Sequence, residues 1–472
     1  MKTRTKTILI ILSFVCLPLV LAAVLCVFTF GLPAQYSETF LGEMKYKLER
    51  LENASGKRII IVGGSSVAFG QDSALIEANL AGYAVVNFGL YGDLGTKIML
   101  DLAEDGVRKD DIVIISPELN EQTLSLFFSG ETFWQAADGN YGILPHVRRE
   151  NIGSVIAEMP EFAAKKVGYA VNGAPDPDDI YRRSSFNEYG DIKSGLRPHN
   201  AMRRGFDITR PVTFDPAILS DEFIDYLNKF ASSVKKRGAE VYYRICPVND
   251  RALSGEYTAD GFYDYLDERL DFEILGNPNE SVIGWKYFYD SNFHLNDSGV
   301  ILNTRNIIRD IKVALTDSSP THISIPTAPE PPDSVISGDN GDAGMFTYSA
   351  ETGGYIITGL TPEGLSKSAL IVPAEYDGLP VTGFTQTAFA GAGNLTRLTL
   401  QENITAIYDR SFEGCASLSE LVLLHDAPNK CTAGNDLFGT ANFDICVPAE
   451  LVNRYRVNYF WAQYGSRIRA IL

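Results

Sequence analysis

The residues of this chain best suited to chemistry are two adjacent serines in Val62-Gly-Gly-Ser-Ser-Val67, followed by Phe69-Gly70. They come directly after the apolar run Arg58-Ile-Ile-Ile-Val62, which reads as a buried strand stopped by a tight turn. A serine at such a strand-to-helix turn has its hydroxyl at the carboxyl edge of the sheet, where open α/β sheets bind ligands. The free N–H groups of a helix start would favour negative charge developing there. Other readings of the glycine-rich turn fail. No Gly-Lys-Ser/Thr follows for a phosphate loop, and GxGxxG is not met. Val67 occupies the position where the GxSxG elbow of α/β-hydrolases has glycine. Taken alone, Gly-Gly-Ser is also what a plain turn looks like, and either Ser65 or Ser66 could be the reactive hydroxyl. Three further segments accompany it: Asn87-Phe-Gly-Leu-Tyr-Gly-Asp93, Pro117-Glu-Leu-Asn-Glu121 and Tyr289-Asp-Ser-Asn-Phe-His-Leu-Asn296.

The elements that would position these turns follow an alternating pattern. After the first strand, a helix is expected over Ser73 to Ala81 and a strand over Ala84 to Phe88. A helix near Thr96 to Asp105 and a strand over Asp111 to Ile115 come next. An amphipathic helix from Ser220 to Lys236 leads into the strand Glu240 to Ile245, and a helix from Val300 to Leu315 closes the series behind the cap material Asn296-Asp297-Ser298. Strands alternating with helices predict an α/β domain with a mostly parallel sheet over 36–316. Residues 36–55 read as a short polar helix or stalk with Phe40, Met44 and Leu48 on one stripe. The stretch 127–217 shows no clean periodicity and reads as a long insertion.

Residues 317–342, with Pro326, Pro329, Pro331 and Pro332, have a linker composition. Beyond them, over 343–472, lies an internal repeat. Val381-Thr-Gly-Phe, Ala388-Phe389 and Asn394-Leu-Thr-Arg-Leu398 recur 23 residues later as Ile404-Thr-Ala-Ile, Ser411-Phe412 and Ser417-Leu-Ser-Glu-Leu421. A degenerate third copy ends in Ile445-Cys-Val-Pro448. Phe412, Cys415, Leu418 and Leu421 make this segment similar to BspA-like leucine-rich repeats, and the closing Val447-Pro-Ala-Glu-Leu-Val-Asn-Arg-Tyr455 looks like the cap of such an array. That resemblance implies a curved solenoid used for binding a protein or glycan at a surface.

Length and charge bound the rest. At 472 residues the chain exceeds what one core serves, so two or more domains are expected. A formal net charge of −18 without a basic patch excludes a nucleic-acid partner. Lys2, Arg4 and Lys6 precede an uncharged apolar run from Ile8 to Phe30, long enough as a helix to cross about 30 Å of hydrocarbon. The first 35 residues therefore read as a cytoplasmic tip and transmembrane anchor at the cell membrane, with the bulk of the chain outside. A cleaved signal peptide at Leu21-Ala-Ala23 is the competing reading. Of six cysteines, Cys16 and Cys26 lie in the apolar run. Cys246, Cys415, Cys431 and Cys446 are scattered without metal spacing and read as buried apolar residues.

The order of the four turns (serine, glycine, asparagine, then Asp and His before a last helix) resembles the SGNH, or GDSL-like, hydrolase superfamily. The resemblance implies a flavodoxin-like three-layer parallel sheet and a Ser-His-Asp triad for esterase, deacetylase or acyltransferase chemistry, without metal or organic cofactor. Carried over by position, Ser65 matches the nucleophile, with Gly64 replacing the usual aspartate. Gly92 and Asn120 match the oxyanion glycine and asparagine, and Glu118 stands where glycine is usual. His294 matches the base. The carboxylate falls to Asp290, four residues before it, because Ser291 holds the customary position. Such chemistry needs these parts. A serine hydroxyl is a weak nucleophile until histidine takes its proton, and a carboxylate must fix the imidazole tautomer. Each oxyanion donor is typically worth about 3 kcal/mol of barrier. His146 and His199, in loop contexts, are the minor alternatives for the base. Asp93 and Glu118 read as supporting or structural groups, and Tyr181, Phe186 and Tyr189 either line a pocket or simply pack, packing being the preferred reading. The substrate implied is an ester-bearing carbohydrate, such as O-acetylated surface polysaccharide, or a small acyl compound. The alternative is a catalytically inactive adhesion or scaffold protein on a hydrolase fold.

Overall fold

Four short strands form the floor of the first part of the chain: β1 (Lys57–Gly63), β2 (Tyr83–Gly89), β3 (Ile112–Ser116) and β4 (Glu240–Tyr243). They pair in parallel in the order β2-β1-β3-β4. The computed structural model describes all residues except 1–19, 175–176, 178–179, 203, 208–209, 332–341, 352, 440 and 472. The chain divides into two units, 1–332 and 333–472.

In the first unit, successive residues of β1 face opposite ways, as a strand's period of two requires. Ile60 and Val62 point into a large core shared with α2 (Met44–Asn53), α5 (Thr96–Gly106) and α8 (Asp221–Lys236), through Met44, Ile98 and Phe223 among others. Ile59 and Ile61 point into a smaller core with Ile76 of α4 (Ser73–Asn79) and Ile307, Ile308 and Ile311 of α10 (Asp297–Ala314). The sheet is thus covered by helices on both faces, which is why the β1 run is apolar throughout rather than alternating. Each fully buried aliphatic side chain contributes about 1.5–3 kcal/mol by leaving water. Helix starts are capped where polar residues precede the apolar pattern. Ser220 Oγ accepts the Phe223 N–H (3.2 Å), and Asn296 Oδ1 accepts the Gly299 N–H (3.0 Å).

The aperiodic stretch 127–217 contains two helices, α6 (Gly130–Ala137) and α7 (Ile152–Asn172), joined by the Trp134 indole donating to Val155 O (2.7 Å) and stacking on Phe162. Its other described residues form short 3-10 segments and turns, held by buried side chains such as Phe186 and Ile192 and by polar bonds. Buried Asp191 accepts from Ser73 and from Asn87 Nδ2 (2.7 Å), while Tyr189 O accepts the Asn87 N–H of β2 (3.2 Å). Between α8 and α10, a further helix, α9 (Ala259–Asp267), packs through Phe262 and Leu266.

The expected membrane-spanning helix over Ile8 to Phe30 is not supported. Its first part, up to residue 19 and including Cys16, lies outside the described residues. Of the rest, the described residues 20–31 are helical, here α1 (20–31). It stops before Pro33, which disfavours helical backbone at Leu32. Among the described residues no helix is long and apolar enough to cross a membrane. The end of α1 is docked: Phe30 packs edge-on against Tyr141 (4.8 Å), and buried Lys166 donates to Thr29 O and Leu32 O (3.0 Å each).

Residues 317–331 form neither helix nor strand, and 332–341 of the expected linker fall outside the described residues. In the second unit, strands Ala369–Ile371, Arg397–Leu400, Glu420–Leu423, Asp444–Val447 and Ile468–Ala470 pair in parallel in that order. Arg397 to Leu400 face Glu420 to Leu423 residue for residue, so the sequence offset of 23 is the register of the ladder. Leu398, Leu421, Ile445 and Ile468 fall in one buried column. Behind them the rings of Phe384, Phe389, Phe412 and Phe443 pack in sequence. Four strands at the other end form a mixed sheet from Phe346 to Phe384. The described cysteines are free thiols, all buried except Cys26.

Candidate active site

At the end of β1 the chain turns through Gly63 and Gly64 into the short helix α3 (Ser65–Ala68), leaving Ser65 at the carboxyl edge of the sheet. From 229 residues away, His294 Nε2 reaches Ser65 Oγ at 2.8 Å, and His294 Nδ1 lies 2.8 Å from Asp290 Oδ1. Asp290 and His294 sit on one loop just ahead of α10. Phe288 bridges Leu295, Tyr289 N–H donates to His294 O (2.8 Å), and Asn296 N–H donates to Tyr287 O (2.8 Å). Inside that loop, Ser291 Oγ accepts the backbone N–H groups of Phe293 (3.2 Å) and His294 (3.1 Å). Ser291 thus closes the turn that brings a carboxylate four residues ahead onto the imidazole.

The imidazole is held on its flat side as well. The Phe69 ring stacks on it at 4.0 Å and 9°, and the Arg197 guanidinium lies over Phe69 while donating to Phe69 O (2.9 Å). Tyr181, from the aperiodic stretch, donates its hydroxyl to Asp290 Oδ2 (2.6 Å). Burial alone would raise the Asp290 pKa, but the His294 imidazole and the hydrogen bonds from His294 and Tyr181 hold it below the usual carboxylate value. Burial, then the neighbouring Asp290 charge, pushes the Tyr181 phenol well up, so it stays a donor. An ionised Asp290 keeps the proton on His294 Nδ1 and leaves Nε2 free to take one from Ser65.

The opposite side of Ser65 is different. Glu118, after β3, has its Oε1 2.9 Å from Ser65 Oγ and accepts the Ser66 N–H (2.8 Å). Gly64 and Gly92 close around the same carboxyl. A Cβ at Gly64 would stand 2.8 Å from Glu118 Oε1, and one at Gly92 would stand 2.8 Å from Oε2, so a side chain at either position would have to push the Glu118 carboxyl aside. Gly92 therefore lies beside Ser65. Asn120 does not join it: its side-chain oxygen accepts the Thr123 N–H (3.0 Å), capping a local turn. Among the described residues no hydrogen bond links the Asn120 side chain to Ser65, Gly92 or His294.

The minor candidates lie elsewhere. The Ser66 hydroxyl is buried without a hydrogen-bond partner and lines a small cavity with Arg244 and Asn303. His146 pairs with Asp105 (2.6 Å), and His199 Nδ1 contacts Asn200 O (3.0 Å). Asp93 accepts from exposed Gln122 (2.9 Å). Phe186 packs on Phe40 (4.7 Å), and Tyr189 lies under the Arg50 guanidinium (4.0 Å). Three groups at the site went beyond their sequence expectation: Tyr181, for which packing was preferred to lining a pocket; Glu118, expected as a supporting or structural group; and Phe69, whose stacking nothing in the sequence announces. The single available signal was Glu118 standing in place of a usual glycine. Among the described residues no cluster of three or more His, Cys, Asp or Glu could hold a metal ion.

Neither a protein-family model nor a curated protein matches the chain. Among solved structures, it is similar to the crystal structure of a T. pallidum leucine-rich repeat protein at 19% identity. The match covers 22% of this chain and 70% of that one, with a TM-score of 0.16, too low to carry an argument about fold.

Proposed function

We propose that residues 36–316 form an SGNH-type, flavodoxin-like domain that cleaves or transfers an acyl group through a serine ester. The observation that carries this reading is the run of hydrogen bonds from Asp290 through His294 to Ser65, at 2.8 Å and 2.8 Å. Ser65 Oγ would attack the ester carbonyl carbon as His294 Nε2 takes its proton. The carbonyl oxygen becomes an oxyanion beside the Ser66 N–H and Gly92. The C–O bond of the ester then breaks, and the leaving alcohol takes the proton from His294. Water or a sugar hydroxyl next attacks the acyl-serine by the same steps in reverse, which frees an acid or a new ester.

The substrate class we propose is O-acylated carbohydrate at the cell surface, with no cofactor. The second unit is proposed as a BspA-like leucine-rich repeat array that binds a protein or glycan there. Its support is the 23-residue register of its ladder. Export and anchoring rest on the sequence of the first 35 residues alone. A second reading, an inactive surface scaffold on the same fold, is favoured by Asn120 capping its own turn and by Glu118 lying against Ser65.

Fluorophosphonate labelling of the full chain, beside aryl-acetate turnover, tests the first reading, because only an activated serine is labelled. Labelling of Ser65 that disappears in Ser65→Ala and in His294→Ala is expected. Labelling that survives either substitution would sink it.

A further inference from the structure

We propose that Glu118 is a resident plug of the oxyanion pocket, holding the Ser65 site closed until an incoming acyl group displaces it. This rests on the reading of Ser65 as the nucleophile. An oxyanion donor has to point at the place where the substrate oxygen will lie, about 3 Å away. The Ser66 N–H is already committed at 2.8 Å, and its acceptor is Glu118 Oε1. The same oxygen stands 2.9 Å from Ser65 Oγ, and the other carboxyl oxygen faces Gly92. A substrate carbonyl and the Glu118 carboxyl therefore compete for one position.

The protons make the same point. Ser65 has one hydroxyl hydrogen and two close partners, His294 Nε2 at 2.8 Å and Glu118 Oε1 at 2.9 Å. It can donate to only one of them, so the other contact needs a proton of its own. If His294 Nε2 carries that proton, the base is already occupied. If Glu118 carries it, the acid donates into the serine lone pair that would attack. Either arrangement is silent, and both end when the carboxyl leaves.

Departure is feasible. Among the described residues no ion pair involves Glu118, and the hydrogen-bond contacts of its carboxyl are those with Ser65 and Ser66. The backbone beneath it is firm, since Glu118 O accepts from Asn120 N (3.0 Å) and from the Thr123 hydroxyl. The side chain can swing while the loop stays. A small acyl compound brings little binding energy to drive that swing, whereas a substrate gripped elsewhere along its length can spend some on it. The plug thus favours esters on an extended carrier over free acyl compounds.

The test is the rate of fluorophosphonate labelling of the full chain as wild type, Glu118→Gly, Glu118→Gln and the double variant Ser65→Ala/Glu118→Gly. Glu118→Gly is expected to label about 10²-fold faster, the scale of one restored oxyanion donor. Glu118→Gln, which keeps the volume and loses the charge, is expected to gain less, and the double variant not to label. If wild type labels and Glu118→Gly is no faster, the plug is overturned while the nucleophile stands. A glutamine variant as fast as the glycine one would overturn occupancy as the cause. If neither wild type nor Glu118→Gly labels, the nucleophile reading itself fails.

Discussion

The two sides of Ser65 are built in opposite ways. On one side, base and carboxylate come from a single five-residue loop, braced by Ser291 within it, by Phe69 beneath it and by Tyr181 above it. On the other side, Gly64, Gly92 and Glu118 come from three separate turns, and the space between them is taken by a carboxyl. Proton transfer is prepared in advance; a place for negative charge on a substrate oxygen is not. The run of hydrogen bonds from Asp290 to Ser65 therefore says little about turnover until the state of the facing pocket is known.

The prepared side offers the largest effects. His294→Ala removes the base, and aryl-acetate turnover should fall by about 10⁴-fold or more. Asp290→Asn keeps the shape but frees the imidazole to take the wrong tautomer, for a loss of about 10³- to 10⁴-fold in kcat. Equal turnover in the asparagine variant would show that the loop geometry does not serve catalysis. Tyr181→Phe removes one hydrogen bond to a charged group and should lower kcat about tenfold with little change in KM. On the facing side, Asn120→Ala should cost less than a few-fold, against the roughly 10²-fold of a true oxyanion donor. A loss on that larger scale would bring Asn120 back into the site and blunt the contrast.

The smallest effect concerns stability. Asp290 has its pKa lowered in the folded state, so near that value the unfolded chain binds more protons. Its contribution is therefore complete above about pH 4 and is lost as pH falls through the folded value. The unfolding free energies of wild type and Asp290→Asn should differ by a constant amount above that pH and converge below it. A difference that widened in acid would contradict the lowered value.

Much of the framework could be read from residue pattern. The strands around Ile59, Val85 and Ile114 were expected within a residue or two, because burial on both faces leaves unbroken apolar runs. Ser65 and His294 could be read because a strand end and a helix start fix where they stand. Asp290 was readable only as a possibility, since its reach depends on Ser291 bonding backward within the loop. The bond that Asn120 makes was not legible for a related reason: a local turn claims its side-chain oxygen, and sequence does not reveal which bond wins. Tyr181 lies in a stretch tied down by polar bonds such as those of Asp191, and these leave no periodic trace. Its contact with Asp290 spans 109 residues.

The single loop carrying both Asp290 and His294 has a consequence for how the domain tolerates thermal breathing. A shift of α10 or of the sheet edge moves carboxylate and imidazole as one piece, so their separation is insulated from such motion. Relative displacement falls instead on the contacts of this loop with the Ser65 turn, the stack of Phe69 on the imidazole and the bond between His294 and Ser65, which spans 229 residues. That bond is the molecule's strain gauge. Heating or a destabilising substitution in the sheet should be felt there, as lost reactivity of Ser65, before the domain unfolds.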